Sequence, residues 1–305
     1  MMSPSDNSPG LINIWMRLMK LRVIVLLQIT AICAILMHDL LARKGAIVSV
    51  DRGWIDTLQT SIWVIIGGTL SAGGANSINM WYDKDIDPGM NRTSKRPIPA
   101  GDVSPVHALV FGIVISIIGV AVLWNVHWKA GFWSAFSVLF YVLVYTMWLK
   151  RRTPQNIVIG GASGALPPMI GWATVTNDIS IGSLTLFAII FMWTPPHFWA
   201  LSLYRSGDYA KAGVPMMPVV SGVGETKRQI LIYTLLLLPI TLVPLLIGMV
   251  SIAGGFVISV LGIWFIRHAF LVLKSDGTRE PRAMFRYSIL YLFLIFSIIL
   301  IDSLL

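Results

Sequence analysis

The chain has 305 residues, 56% of them hydrophobic and only 12% charged, with a mean hydropathy of +0.76. A soluble globular domain carries about 25% charged residues, so this composition excludes one and points to a polytopic membrane protein, with a length that suits a single membrane domain over residues 1–305. The net charge is +9, but the basic residues sit in short segments between apolar runs, which fits a membrane lipid surface and argues against nucleic acid as a partner. The one cysteine, Cys33, lies in an apolar run and allows no internal disulfide.

From the N-terminus, MMSPSDNSPG is polar and no cleavage site follows. Residues 1–20 are expected to form a polar cytoplasmic tail. A membrane-crossing helix needs about 20 apolar residues, and nine such runs follow, near 23–42, 55–76, 105–124, 131–149, 155–174, 183–203, 229–249, 252–271 and 285–304. Of the 23 Lys and Arg, 19 fall in the N-terminal segment and in the connections after the second, fourth, sixth and eighth runs. Only Arg43, Lys44, Arg52 and Lys129 fall in the others. The positive-inside rule then places the N-terminus in the cytoplasm and the C-terminus outside. The expected fold is an all-α bundle of nine transmembrane helices.

The second run ends in NSINMWYDKDIDPGMNRTSKRPIP (76–99). At 100° per residue Asn76, Asn79, Asp83 and Asp87 share one helix face, and Pro88 predicts that the helix ends near Asp87. Two stacked carboxylates at a helix C-terminus face a dipole that is already negative, and they repel each other. A cation must offset them. Oxygen ligands, Asp83 and Asp87 with the Asn79 carbonyl, suit Mg²⁺, which completes its shell with water and substrate phosphates. Arg92, Lys95 and Arg96 follow at once, and guanidinium groups bind phosphate bidentately. The pattern predicts a diphosphate site on the cytoplasmic side. Arg92 and Arg96 would stabilise charge on a departing diphosphate, and Asn76 and Asn79 would orient metal, diphosphate or acceptor. Lys150 and Arg151, in another cytoplasmic connection, are candidates to clamp the opposite side.

Of the five histidines, His38, His107, His127 and His268 fall at or near run ends and read as ordinary interfacial residues. His197 lies within the sixth run, after Pro195 and Pro196 and between Trp193 and Trp199. An ionisable group inside a span is a functional candidate; the alternative is a packed histidine bonded to a carbonyl that the prolines free. Most of the tryptophans fit an interfacial belt. Gly160, Gly161 and Gly164 with Pro167 and Pro168 predict a thin, kinkable fifth span, by helix packing or by close approach to a flat ligand. SDGTREPRAMFR (275–286) reads as a surface loop without chemistry.

The motif N-x-x-x-D-x-x-x-D at Asn79, Asp83 and Asp87 resembles the first signature of the UbiA superfamily of intramembrane prenyltransferases. NxxNMWYDxDIDxxMxRTxxRP, YTMWLKRRTPQNIVIGGASGALPPMIGW (145–172) and WTPPHFWALSLYRSGDYAKAGVPMMPVVSG (193–222) resemble its haem-farnesylating branch, over nearly the whole chain. The resemblance implies a helical bundle around a central cavity. It implies transfer of farnesyl from farnesyl diphosphate to a vinyl group of haem b, with Mg²⁺ as cofactor and water supplying a hydroxyl. A bacterial cytoplasmic membrane is the implied location, and a downstream haem-modifying enzyme or a terminal oxidase the implied partner. His197 then becomes a candidate for haem, as ligand or acid–base group. Many relatives carry two aspartates in a second motif after the sixth span, whereas YRSGDYAKAG offers only Asp208, flanked by Tyr204, Tyr209 and Lys211. Asp208, as a second metal contact, or Lys211 would complete the site.

Two rival readings stand beside this one. A relative on the same scaffold could prenylate another acceptor, a quinone precursor or a chlorin, because the acidic motif handles only the diphosphate. A cation or proton transporter would instead carry ionisable residues deep in several spans, whereas these acids cluster at one membrane face.

Overall fold

A computed structural model describes residues 10–305 apart from 48, 50, 51, 92, 177 and 178. Every regular element among them is helical. In chain order these are α1 (Leu11–Met19), α2 (Leu21–Arg43), α3 (Trp54–Tyr82), α4 (Pro105–Val126), α5 (Trp128–Leu139), α6 (Asn156–Ala165), α7 (Pro167–Ala173) and α8 (Ile181–Tyr204). They continue as α9 (Ser206–Lys211), α10 (Met217–Val220), α11 (Gly222–Thr241), α12 (Val243–Leu246), α13 (Ile252–Lys274) and α14 (Arg279–Leu304). α5 runs on without a break into a wider π-helical stretch, Phe140–Leu149.

Among the described residues seven helices are long and apolar enough to cross a membrane: α2, α4, α5 with its continuation, α8, α11 with α12, α13 and α14. Their outward faces are lined by exposed Ile, Leu, Val and Phe, among them Leu246 and Ile252 at 80% or more. In water such a surface would aggregate; in lipid it is the expected exterior. The chain is an integral membrane protein.

Two of the nine expected spans take another form. α3 has 29 residues, long enough to cross, but its second half carries Ser71, Asn76, Ser77 and Asn79, all buried. The fifth run is not one helix. It breaks at Leu166 into α6 and α7, because Pro167 and Pro168 have no N–H to continue the ladder. Gly160 and Gly161 bear out the packing reading: an added Cβ would press on the Tyr145 ring and, at 2.8 Å, on Thr194 Cγ2. Gly164 faces open space.

Serine caps start three of the crossings. Ser104 accepts from the His107 N–H, Ser180 from Ser183 and Ser251 from Gly254, each at 3.2 Å, which satisfies donors that lipid could not. The closest helix pair is α3 with α4. Gly67, Ser71 and Gly74 interlock with Gly112, Ser116 and Gly119: a Cβ on Gly67 would lie 2.7 Å from Leu123 Cγ and 3.0 Å from the Gly119 carbonyl. Helices in lipid gain little from hydrophobicity and associate through close backbone approach, so this seam fixes the end of α3. On the other side, Trp199, Phe265 and Tyr291 anchor one large core drawn from α2, α8, α11, α13 and α14. Trp172 and Trp199 are wholly buried there, which an interfacial belt does not cover.

Two other expectations are corrected. Residues 11–19 are not a polar tail; they form α1, with Ile14 and Leu18 buried and Leu11, Ile12 and Met16 exposed. Residues 1–9 lie outside the described residues. The segment 275–286 is not a loop throughout, since α14 starts at Arg279 and already contains Arg282 and Arg286.

Candidate active site

The acidic stretch closes α3. The helix ends at Tyr82, one turn earlier than Pro88 predicts, and Asp83 is its C-cap. The helical spacing nevertheless persists, because the Asp87 N–H bonds the Asp83 carbonyl at 2.9 Å and a 3₁₀ turn, Asp87–Gly89, follows. Asn76, Asn79, Asp83 and Asp87 are all buried, the two carboxylates completely. Burying two such charges at the negative end of a helix is costly without partners.

The partners come from distant segments. Lys150, just past the π-helical stretch, donates to Asp83 Oδ2 in a short ion pair. Asn79 Nδ2 donates to the same oxygen at 2.9 Å and to Thr146 Oγ1 at 3.2 Å. Arg96 forms a fork on Asp87, at 2.8 and 2.7 Å. Arg151 forks onto Asp85 at 2.7 Å on each oxygen, donates to the Tyr82 carbonyl at 2.9 Å and stands 3.8 Å from Asp83 Oδ1. Asp83 Oδ1 itself is buried and accepts no hydrogen bond.

Lys20 also enters the cluster, and no local feature of the sequence marks it beyond its charge. It links α1 to α2 in a left-handed conformation (φ 57°), rare for a residue with a side chain. Asn76 Nδ2 helps to hold that corner by donating to the Met19 carbonyl at 3.0 Å. Lys20 Nζ reaches Asn79 Oδ1 at 2.9 Å. Burial, then repulsion from Arg96 and Lys150, holds the Lys20 ammonium well below its usual pKa. Lys150 is lowered too, by burial first, with Asp83 opposing. The Arg151 hydrogen bonds hold Asp85 below the usual carboxylate range. Arg17 braces the rim through Asp102 at 2.7 Å and the Lys95 carbonyl at 2.6 Å.

The second loop meets the first at one point. Asn91 Nδ2 donates to Asp208 Oδ1 at 3.3 Å, and Arg205 lies 3.5 Å from Asp208. Tyr209 lines a small cleft of about 10 Å³ beside Met90, Arg205 and Asp208. Lys95 and Lys211 are exposed, and their ammonium groups make no hydrogen bond or ion pair with the described residues. Tyr204 lies under the guanidinium of Arg282, 5.3 Å from its ring. Arg92 lies outside the described residues.

His197 is buried in α8, stacked between Trp193 (4.2 Å) and Phe285 (4.6 Å). Its Nδ1 meets Ser288 Oγ at 2.6 Å, a side chain of α14 and not a carbonyl freed by the prolines. Ser288 Oγ also lies 2.7 Å from the Phe285 carbonyl, to which it can donate, so the hydroxyl ties the imidazole to the first turns of α14. His38, expected at an interface, is instead fully buried against Asp39 at 2.9 Å.

The fit to Mg²⁺ can be tested on these atoms. Asp83 Oδ1 is a buried anionic oxygen without a donor. Both carboxylates are held by side-chain cations that a metal could displace. Asp83 and Asp87 suit an ion that takes one or two carboxylates and leaves the rest of its shell to water and phosphate. The donor set fits. Asn79 is already committed on both sides of its amide, to Lys20 and to Asp83.

A bundle end with buried carboxylates ringed by lysine and arginine is the form a membrane-embedded diphosphate site would take. The chain belongs to the UbiA prenyltransferase family, whose sequence model matches residues 45–294. It is 54% identical over 244 residues to the protoheme IX farnesyltransferase of Parvibaculum lavamentivorans, covering 77% of this chain and 76% of that one. It is 46% identical over 298 residues to the protoheme IX farnesyltransferase of Bartonella tribocorum, covering 96% and 91%. Among solved structures, the fold is similar to that of a digeranylgeranylglyceryl phosphate synthase (TM-score 0.78, 17% identity, 96% of this chain and 98% of that one). It is also similar to a UbiA homologue from Archaeoglobus fulgidus bound to GPP and Mg²⁺ (TM-score 0.63, 16% identity, 94% and 99%).

Proposed function

We propose that this protein transfers the farnesyl group of farnesyl diphosphate to a vinyl group of haem b, with addition of water, to give haem O and diphosphate. The observation that carries the reading is the acid pair Asp83 and Asp87. Both are buried, and each is neutralised by a cation of the same chain that could equally hold a phosphate. Identity near 50% to protoheme IX farnesyltransferases over most of the chain supports haem as the acceptor.

In this reading Asp83 and Asp87 would hold Mg²⁺, with Asp208 proposed as a further contact from the second loop, and the bound ion would supply Lewis-acid neutralisation of the leaving diphosphate. Lys150, Arg96 and Lys20 turn from their carboxyl and amide partners toward phosphate oxygens, and Arg92, Lys95, Arg151 and Lys211 add charge at the mouth. Asn79 is a positioning residue: its amide joins Lys20 to Asp83. Asn76 does the same for the α1–α2 corner. The allylic C–O bond breaks and its electron pair leaves with the diphosphate. The vinyl π pair forms the new C–C bond, water adds to the resulting cation, and one proton is lost. Excluding bulk water until that last step is the task of an apolar central cavity. His197, buried between Trp193 and Phe285, is the group this scheme assigns to haem, as ligand or acid–base group.

The whole chain acts as one membrane domain. Counting α3 and the broken pair α6–α7 as crossings gives nine spans, and the 19 cationic residues on one side set the N-terminus and the site toward the cytoplasm of a bacterial inner membrane. The product, haem O, would pass to a haem-modifying enzyme or a terminal oxidase.

The test is pigment extraction and mass analysis after incubating the detergent-purified protein with haem b, farnesyl diphosphate and Mg²⁺. A product heavier by farnesyl plus water, absent without Mg²⁺ and in Asp83→Ala, is expected. Unchanged haem b with diphosphate released to another acceptor would overturn the haem assignment while keeping the transferase.

A further inference from the structure

A second cationic site lies at the junction of α8 and α14. A cavity of about 320 Å³ opens where α8 ends and α14 begins, lined by Tyr204, Arg205, Arg282, Phe285 and Arg286. Three guanidinium groups thus share one hollow with two aromatic rings. Arg205 approaches a carboxylate only at 3.5 Å, on Asp208. Arg282 and Arg286 have no carboxylate within ion-pair distance among the described residues. The Arg282 guanidinium lies 5.3 Å above the Tyr204 ring, and Tyr204 stands edge-on to Phe285 at 6.1 Å. Phe285 in turn stacks on His197. Positive charge left unpaired beside apolar rings suits a ligand that is itself anionic at one edge and aromatic behind it.

The cavity also adjoins the acidic motif. Arg205 lines both this cavity and the small cleft beside Met90 and Asp208, and Asp208 is bonded to Asn91 of the motif. A ligand held here stands next to the diphosphate site without competing for Lys150, Arg96 or Lys20. The volume is at the low end for a ligand pocket, about 300–1,000 Å³, so it takes the edge of a large planar molecule.

We infer that Arg282 and Arg286, with Arg205, bind the two propionate carboxylates of the haem acceptor, while Tyr204 and Phe285 pack against its macrocycle. This rests on the haem reading above and adds the groups that select a dianionic tetrapyrrole. Each guanidinium–carboxylate pair is a charge-assisted fork, and its loss corresponds to about a tenfold change in affinity.

The test needs no variant at first. Wild-type protein in detergent is titrated with haem b and with its dimethyl ester, in which both propionates are masked. Haem b is expected to bind about tenfold or more tighter. The Arg282→Gln/Arg286→Gln protein should lose that preference and bind haem b as weakly as the ester. Its KM for haem b should rise about tenfold or more, while its KM for farnesyl diphosphate and its kcat at saturating haem stay near wild type. Equal binding of haem b and ester by the wild type would overturn the inference. So would an arginine variant that loses phosphatidylglycerol binding yet keeps the haem preference, which would make the cavity a lipid headgroup site. A wild type that farnesylates no haem at all would instead sink the functional reading on which the inference stands.

Discussion

Two buried aspartates sit at opposite ends of the same helical pair, and they are treated differently. At one end Asp39 of α2 is almost wholly enclosed, and its partners are near in sequence. His38 lies at 2.9 Å and Thr57 Oγ1 at 2.6 Å, with Arg52 NH1 at 3.7 Å. Both of its oxygens are engaged by α2, α3 and the turn between them. At the other end of α3, about 39 Å away at 1.5 Å per residue, Asp83 is equally buried. Its cationic partner Lys150 lies 67 residues away, and one oxygen accepts no hydrogen bond. A buried carboxylate is therefore not by itself a site. What marks Asp83 is an unspent lone pair and cations that can exchange one anion for another. Asp39 has a cation nearby in Arg52, but both of its oxygens are already bonded, so it reads as a clamp joining α2 to α3.

The sharpest way to break this comparison is Asp83→Ala, which should lower haem O formation by more than about a hundredfold, measured as product mass per unit time. Arg96→Gln, which frees Asp87, should fall in the same direction by about tenfold to a hundredfold. Asp39→Asn should act on stability, costing about 3 kcal/mol because Arg52 and His38 lose their shared charge. Thermal unfolding in detergent would show it, and a normal melting point with lost turnover would reverse the roles assigned to the two ends. Gly74→Leu should cost about 1–3 kcal/mol by forcing α3 off the Gly112 carbonyl and Ser116, and a variant as stable as wild type would show that the seam does not hold the motif. The smallest effect is expected for Lys95→Gln, within about threefold in KM for farnesyl diphosphate, since its exposed ammonium has no partner among the described residues and solvent screens it.

Much of this was readable from the chain itself. Composition and apolar runs give a helical membrane protein, because lipid leaves backbone groups no other partner. The spacing Asn76, Asn79, Asp83, Asp87 gives one polar face, because helix geometry is local. The break after Ala165 follows from two prolines. Charge alone also placed Lys150 and Arg151 on the same side as the motif. The glycine seam, Gly67 and Gly74 against Gly112 and Gly119, emerged only from the structure, because its seven-residue spacing is quiet in a sequence already rich in glycine.

Tertiary structure alone decided which cations meet which acids. Lys20 reaches Asn79 only because a left-handed corner turns α1 back across the end of α3. Lys150 reaches Asp83 because the π-helical stretch shifts the register of everything beyond it. Arg96 grips Asp87, a partner that its expected role toward phosphate did not name. Arg282 and Arg286 looked like loop charge until α14 packed against α8 and set them around a cavity. Sequence fixes local periodicity because backbone hydrogen bonds and rotamers act over a few residues. Pairing between charges 66 to 85 residues apart depends on how the helices pack, and the sequence spacing carries no sign of it.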